Sequence, residues 1–152
     1  AYRIVRGIDP KGNPCNPLEN VIARLRSQIA NKGIRCAYEI SVDDALSIPI
    51  HRNDSVLKGF PCLSHLSFKL SMDRSELHLT ALYRSQDYVQ KAVGNLLGLA
   101  RLQAVVAREI GIRPGSLVCH STYAMFEKRK GIGRGSIQML IDDAMEFADE
   151  GE

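Results

Sequence analysis

The chain has 152 residues, of which 45% are hydrophobic and 24% are charged, and its formal net charge is +3. This length and composition predict a single domain, residues 1–152, with enough apolar side chains for a hydrophobic core. No run of about 18 apolar residues occurs, which argues against a membrane span. The small positive charge argues little for nucleic acid and agrees equally well with a small phosphate-bearing ligand.

The cysteines and the first residues indicate a cytoplasmic protein. Cys15, Cys36, Cys62 and Cys119 form no CxxC pair and no disulfide-dense spacing, and the N-terminus shows no signal-peptide pattern. We therefore expect free thiols. The four histidines share no ligand spacing with one another or with the cysteines, so we expect no metal site.

The first half of the chain predicts a loop, a helix and a strand. Residues 1–15 are polar and rich in turn residues, which is typical of an arm or loop. A helix then begins at Pro17, with Asn16 as its N-cap, and ends at Gly33. We expect its basic face to be exposed to solvent; this face carries Arg24, Arg26 and Lys32. A short strand is predicted over residues 37–42.

A β-hairpin is predicted from residue 66 to residue 83. Apolar residues alternate over 66–70 and again over 77–83, and residues 71–74 form the turn between them. Such a hairpin brings Arg84 and Ser85 back toward Cys62, which precedes the first strand. A guanidinium beside a thiol favours the reactive thiolate form.

The longest helix is predicted over residues 87–110, and its apolar residues surround most of its circumference. We expect a sheet on one side of it and helices on the other. Gly94 and Gly98 each cost about 1 kcal/mol in a helix interior, which close approach of a neighbouring backbone would compensate. Asn95 is either a satisfied core amide or an amide presented to a ligand.

The last third predicts a turn, a strand, a loop and a helix. Residues 113–115 are predicted as a turn, followed by a strand that starts at Leu117 and extends toward residue 126. Residues 128–135 are basic and glycine-rich and match a phosphate-binding loop only weakly. Ser136 caps a final amphipathic helix, whose inward residues are Ile137, Leu140, Ile141, Ala144 and Phe147.

The order of these residues resembles the core of the thymidylate synthases and the related pyrimidine hydroxymethylases. The resemblance is carried by Pro61-Cys62, the hairpin, the run from Arg84 to Asp87, Asn95 and the Pro114-Gly115 pair. From Arg84 to Gly115 the correspondence with the family pattern needs no gap in the alignment. It implies an α/β fold in which a mixed sheet packs in layers against a long buried helix.

The resemblance also implies a role for individual residues. Cys62 would be the nucleophile that adds to the pyrimidine ring, and Arg84 would supply positive charge beside it. Arg84 and Ser85 would hold the nucleotide phosphate, and Asp87 would position the base. Asn95 would read a uracil edge. Methylene-tetrahydrofolate would be the cofactor, and the protein would be a homodimer packed through its sheets, with Arg35 reaching into the partner's phosphate site.

Several positions depart from the family pattern. Leu63 stands where a histidine follows the nucleophile, and Lys91 replaces a glycine. The positions of two ribose-binding residues fall on Met125 and Glu127, although a local shift would bring His120 or Tyr123 to the sugar. The resemblance covers only the middle of the family pattern, so we expect either a piece of a longer enzyme or a minimal relative.

Three hypotheses follow for function. The first is a thymidylate-synthase-like methyltransferase that acts on a uracil nucleotide with methylene-tetrahydrofolate. The second is a pyrimidine nucleotide hydroxymethylase, which uses the same cysteine and folate; Asn95 argues against a cytosine substrate. The third is a non-catalytic nucleotide-binding or assembly module, which the substitutions at Met125 and Glu127 favour.

Overall fold

The structure is a computed structural model that describes residues 2–9, 11–31, 38–42, 61–125, 135, 136, 138, 139 and 142. In chain order, the elements along these residues are α1 (Tyr2–Val5), β1 (Gly7–Ile8), β2 (Pro14–Cys15), α2 (Pro17–Ala30), β3 (Glu39–Ser41), β4 (Leu63–Leu70), β5 (Glu76–Tyr83), β6 (Gln86–Asp87), α3 (Ala92–Ile110), β7 (Arg113–Ser121) and β8 (Ala124–Met125). The protein is therefore of mixed α/β class, as predicted.

The main sheet has four strands in the order β3-β4-β5-β7. β4 and β5 form the predicted antiparallel hairpin, with Leu63 opposite Tyr83 and Leu70 opposite Leu77. β7 then pairs with β5 in parallel. Because α3 connects these two parallel strands, the sheet and the helix form one βαβ unit.

The hydrophobic core lies between this sheet and the two long helices. The alternation predicted for the hairpin is confirmed, since Leu66, Phe68, Leu77 and Leu79 are all fully buried. Burying each such side chain contributes about 1.5–3 kcal/mol. α2 adds Val21 and Leu25 to the same core, and α3 adds Leu99, Val106, Ala107 and Ile110.

The start of α2 follows the prediction, and so does the exposure of Arg24 and Arg26. The Asn16 side chain accepts a hydrogen bond from the Glu19 backbone N–H at 3.3 Å, as an N-cap should. The helix ends at Ala30 rather than Gly33. Arg26 reaches across to α3, where its Nη2 lies 2.9 Å from Glu109 Oε2 and its Nε donates to the Glu109 carbonyl. Arg26 is exposed, as predicted, with 55% of its side-chain surface accessible, and it also links α2 to α3.

The turn predicted at residues 113–115 is wrong, because β7 already begins at Arg113. The pairing moves from Leu77 opposite Pro114 to Leu79 opposite Leu117, so β7 carries one extra residue there. A bulge of this kind tolerates both the proline and the glycine that suggested a turn. Gly115 is required at the bulge, since a Cβ on it would lie 2.7 Å from His78 Nδ1.

The buried amide of Gln103 donates hydrogen bonds to backbone carbonyls at the bulge. Its Nε2 donates to the carbonyl of Leu77 at 2.7 Å and to those of Gly115 and Ser116, both at 3.1 Å. These carbonyls lie where the regular β5–β7 pairing is interrupted. Gln103 thus joins α3 to both strands of the parallel pair.

The long helix differs from the prediction in its start and in its burial. It begins at Ala92 instead of residue 87, because residues 86–87 form β6 and a turn follows them. It is not buried on most of its circumference: Val93 is 68% exposed and Leu97 is 57% exposed. Among the described residues, sheet and helix cover only one side of α3. We call the uncovered side the outer α3 face; it consists of Val93, Gly94, Leu96, Leu97, Gly98, Arg101, Ala104, Val105 and Arg108.

Near the two ends of the chain, the described residues include helices and a strand pair. Residues 1–15 are not a simple arm, since they contain α1 and the antiparallel pair β1–β2. Most of the basic loop and of the final helix lies outside the described residues, although Ser136, Gln138, Met139 and Asp142 are helical. Across the described stretches, none of the helices has the length and apolar character to cross a membrane.

We expect the substitution Gln103→Met to lower the free energy of unfolding by about 1–3 kcal/mol, because buried carbonyls lose their donor. Urea unfolding followed by circular dichroism measures the loss. Gln90→Met is the matched control, since Gln90 is exposed in the turn before α3. Equal stability of the two variants would show that the Gln103 amide does not hold the bulge.

Candidate functional site

A cavity of about 300 Å³ opens at the end of the hairpin, where β5 leaves the sheet. It is lined by Pro61, Cys62, Leu63, Tyr83, Ser85, Gln86, Asp87, Lys91, Asn95 and Met125. These residues come from four places in the fold: the start of β4, the end of β5 with β6, the first turns of α3, and β8. The volume is at the lower end of the range for small-ligand pockets, about 300–1,000 Å³.

Cys62 enters the cavity from the start of the hairpin. Its backbone carbonyl accepts a hydrogen bond from the Arg84 N–H at 2.9 Å, which continues the β4–β5 pairing beyond Leu63. The thiol is half-buried and free. The side chain therefore sits at the cavity wall with part of its surface accessible, as a nucleophile requires.

Arg84 lies beside Cys62, as the hairpin predicted, but its side chain does not line the cavity. Its Nε donates to the Pro61 carbonyl at 3.0 Å. Thr122 Oγ1 in turn donates to the Arg84 carbonyl at 2.9 Å. Arg84 thus ties the residue before the thiol to the end of β5, and in this arrangement it positions the Cys62 backbone.

Asp87 is the one acidic residue among those lining the cavity, and it is 97% buried, with 3% of its surface exposed. Its Oδ1 accepts hydrogen bonds from the backbone N–H groups of Val89 at 3.0 Å and Gln90 at 3.1 Å. Its Oδ2 is buried without a hydrogen-bond partner. An unpartnered buried acceptor costs on the order of 1–3 kcal/mol, so a ligand that donates a hydrogen bond to it would recover that cost.

Lys91 and Asn95 lie one turn apart at the start of α3, and both face the cavity. The Asn95 N–H donates to the Lys91 carbonyl at 2.9 Å. Asn95 is half-buried, so its amide is presented at the cavity and is not enclosed in the apolar core. Among the lining residues, Lys91 carries the only positive charge.

Tyr83 forms an uncharged wall of the cavity. Burial raises the pKa of its phenol, and the neighbouring thiols of Cys119 and Cys62 raise that pKa further. Burial also raises the pKa of Cys119, although its contact with Gln86 Oε1 at 3.9 Å lowers it in part. Tyr83 therefore remains a neutral hydrogen-bond donor at physiological pH.

The structure brings together four of the predicted site residues, Cys62, Ser85, Asp87 and Asn95, in one cavity. Arg84 is adjacent through the backbone, and Arg35 lies outside the described residues. The sequence named none of Tyr83, Gln86 and Lys91 as site residues. The alternation of β5 predicts Tyr83 as a core residue, Gln86 lies inside the run from Arg84 to Asp87, and Lys91 is noted only as a departure from the family pattern.

The small parallel pair β6–β8 places Met125 in the cavity. Tyr88 N–H donates to the Met125 carbonyl at 3.0 Å, and Gln86 N–H donates to the Tyr123 carbonyl at 2.9 Å. Met125 supplies an apolar wall. Neither His120 nor Tyr123 is among the lining residues. Glu127 lies outside the described residues.

The described ranges contain no group of three or more histidine, cysteine, aspartate or glutamate side chains suited to a metal ion. The cavity instead combines a thiol, a buried carboxylate, an amide, an ammonium group and a phenol. Such a set can bind a polar heterocycle through hydrogen bonds while a thiol lies against it. The fold and the cavity thus define an α/β protein with a cavity of small-ligand size, in whose wall a cysteine lies.

Comparison with known proteins identifies distant and partial relatives. A protein of Methanococcoides burtonii is 35% identical over 71 residues, which are 47% of this chain and 32% of the relative. One of Methanopyrus kandleri is 37% identical over 73 residues, 48% of this chain and 34% of the relative. One of Methanocaldococcus jannaschii is 26% identical over 106 residues, which are 70% of this chain and 45% of the relative.

All three relatives are named "Putative thymidylate synthase". No protein-family model matches the chain. The chain matches less than half the length of these relatives, and the likeness is to a thymidylate-synthase-like family.

Two substitutions at Asp87 should separate the contributions of its two carboxylate oxygens to stability. Asp87→Asn keeps an oxygen for the two backbone donors and replaces the unpartnered Oδ2 by an amide, so we expect the melting temperature to stay the same or rise. Asp87→Ala removes the acceptor of both backbone N–H groups and should cost about 1–2 kcal/mol of unfolding free energy. Thermal and urea unfolding measure both changes. Similar losses in the two variants would contradict this division.

Proposed function

We propose that the protein transfers a one-carbon unit from methylene-tetrahydrofolate to C5 of a uracil nucleotide, with Cys62 as the nucleophile. The observation that supports this is the gathering of Cys62, Ser85, Asp87 and Asn95 around one cavity. These residues lie in the order and spacing that resemble the thymidylate synthases. Relatives named after that activity support the same proposal at the level of the family.

In this proposal the Cys62 sulfur adds to the ring carbon next to the ring nitrogen. The addition makes the neighbouring carbon, C5, nucleophilic enough to attack a one-carbon donor. The hydrogen bond from Arg84 N–H to the Cys62 carbonyl holds the nucleophile in place. Tyr83, as a neutral phenol on the cavity wall, is suited to donate a hydrogen bond to a ring carbonyl or to a bound water molecule.

Asn95 supports uracil as the base. A carboxamide has one acceptor and one donor group, which match an N–H and a carbonyl oxygen on the uracil edge. The unpartnered Asp87 Oδ2 is a second acceptor in the same cavity. Each of these groups gains a hydrogen bond when a heterocycle with N–H donors is bound.

The nucleotide phosphate needs positive charge and hydrogen-bond donors. We assign the charge to Lys91 and the predicted Arg84, and a donor to the Ser85 hydroxyl. Ser85 and Lys91 line the cavity, whereas the Arg84 guanidinium contacts the Pro61 carbonyl. Arg35 would contribute from a second subunit if the proposed homodimer packs through its sheets. Val118, 52% exposed on the outer side of β7, is an apolar residue suited to such a contact.

A folate cofactor would supply the one-carbon unit. The unpartnered Asp87 Oδ2 is already assigned to the base, so the described lining residues offer no separate contact for the folate ring. A cavity of about 300 Å³ takes one small ligand, so nucleotide and folate together would also use surface outside it.

We expect incubation with 5-fluoro-deoxyuridylate and methylene-tetrahydrofolate to give a covalent ternary adduct on Cys62. The fluorine at C5 prevents the last proton loss and traps the adduct. Intact-mass spectrometry and peptide mapping identify the modified residue. Cys62→Ser should give none, and Cys119→Ser is the matched control that should still react.

The other outcomes of the same experiment distinguish the alternatives. An adduct with nucleotide but without folate would overturn the folate assignment. Nucleotide protection in a thermal shift with no adduct would favour the non-catalytic binding module, which the small cavity also fits. Conversion of the natural nucleotide to a hydroxymethyl product would identify a hydroxymethylase.

Lys91 provides a separate test of phosphate binding. We expect Lys91→Met to weaken binding of deoxyuridylate about 10-fold and to leave binding of deoxyuridine unchanged, because the nucleoside lacks the phosphate. Lys91→Arg keeps the charge and should bind the nucleotide nearly as the unmodified protein does. Isothermal titration calorimetry measures the affinity of the unmodified protein and of both variants for deoxyuridylate and for deoxyuridine. An equal loss for nucleotide and nucleoside would place Lys91 at the base.

A further inference from the structure

Gln86 is a second buried polar side chain at the cavity, directly before Asp87 in β6. Only 3% of its surface is exposed, and it is one of the lining residues. Its backbone N–H donates to the Tyr123 carbonyl at 2.9 Å, so the pairing of β6 with β8 fixes its position. A buried carboxamide requires a partner at both ends of its amide, because an unmet donor or acceptor costs stability.

The thiol of Cys119 contacts one end of this amide. Cys119 Sγ donates to Gln86 Oε1 at 3.9 Å. Burial raises the pKa of Cys119, so its sulfur keeps the proton that it donates. The contact therefore favours the orientation in which the amide oxygen faces Cys119, and it leaves the Nε2 group for a different partner.

The Nε2 group of Gln86 has no acceptor within the described part of the chain, where the hydrogen bonds of this side chain end at Oε1. Asp87 Oδ2 does not accept from it, since that oxygen is itself buried without a partner. The cavity wall thus carries a buried donor and a buried acceptor that do not satisfy each other. Each of them is left for a bound ligand.

An amide N–H donor is complementary to a ring carbonyl. The polar edge of uracil presents a carbonyl oxygen, an N–H group and a second carbonyl oxygen, and Asn95 is assigned to the N–H group and one carbonyl. We propose that Gln86 is a further specificity-determining residue, whose Nε2 donates to the other carbonyl of the base. This contact rests on the proposed uracil ligand, but it does not require attack by Cys62. Because cytosine has only one ring carbonyl, Gln86 and Asn95 together select uracil.

Two variants of Gln86 test this contact. Gln86→Met removes both polar ends of the side chain, and Gln86→Glu keeps an oxygen for Cys119 while it replaces the donor by an acceptor. We expect each to weaken binding of deoxyuridylate and of deoxyuridine alike, by about 10-fold, because the lost contact is to the base. Isothermal titration calorimetry measures the affinities. Gln90→Met is the matched control, since the Gln90 side chain is exposed and the substitution keeps its backbone N–H.

Sulfur-substituted ligands separate a direct contact from a structural effect. Sulfur accepts hydrogen bonds more weakly than oxygen, so the unmodified protein should bind both 2-thio-deoxyuridine and 4-thio-deoxyuridine less tightly than deoxyuridine. Gln86→Met should lose this preference for oxygen at one of the two positions and keep it at the other, which Asn95 contacts. A merely structural role would weaken all three ligands equally. If Gln86→Met does not fold, as judged by circular dichroism, Gln86→Glu carries the same comparison.

The outcomes distinguish this contact from the proposed one-carbon transfer. Binding that depends on Gln86 in this way, without any adduct on Cys62, supports the contact and overturns the transfer. Unchanged affinity in Gln86→Met, or an equal loss for all three nucleosides, overturns the contact and leaves the transfer to the adduct experiment. An unmodified protein that binds neither deoxyuridylate nor deoxyuridine overturns both.

Discussion

The hydrogen bond from the Arg84 N–H to the Cys62 carbonyl is the contact on which the candidate site depends. It closes the open end of the hairpin and sets the thiol opposite the point where β5 leaves the sheet. A shift of one residue in this pairing would exchange the two faces of the strand and turn Tyr83 away from the core. The buried alternation of Leu77, Leu79 and Ala81 prevents such a shift, so the core of the sheet positions the cysteine.

Two buried polar side chains, Gln103 and Asp87, differ in whether their hydrogen-bonding groups have partners. Gln103 is surrounded by acceptors and satisfies carbonyls that the bulge in β7 leaves without a regular partner. Asp87 is as deeply buried, yet its Oδ2 has no partner. A protein that leaves a buried carboxylate oxygen incomplete at a cavity loses stability there, and a bound ligand with a donor group restores it.

The predictions that held were those that depend on neighbours along the chain or across one turn. The Asn16 cap, the hairpin and the approach of Arg84 to Cys62 follow from local spacing and from a two-residue period. The predictions that failed needed distant contacts. Pro114 and Gly115 predict a turn when only their neighbours in the sequence are considered, whereas their tolerance in a bulge depends on pairing with β5. The exposed side of α3 likewise depends on which segments pack there.

The sequence by itself determined the mixed α/β class and the hairpin, because hydrophobic periodicity is a local property. Its resemblance to the thymidylate synthases named the candidates Cys62, Ser85, Asp87 and Asn95. Only the tertiary structure decided that these four line one cavity and that Lys91 and Tyr83 join them. It also tied the Arg84 side chain to the Pro61 carbonyl. The reason is physical: a cavity is formed by side chains from strands and helices far apart in the chain, and their common position depends on packing.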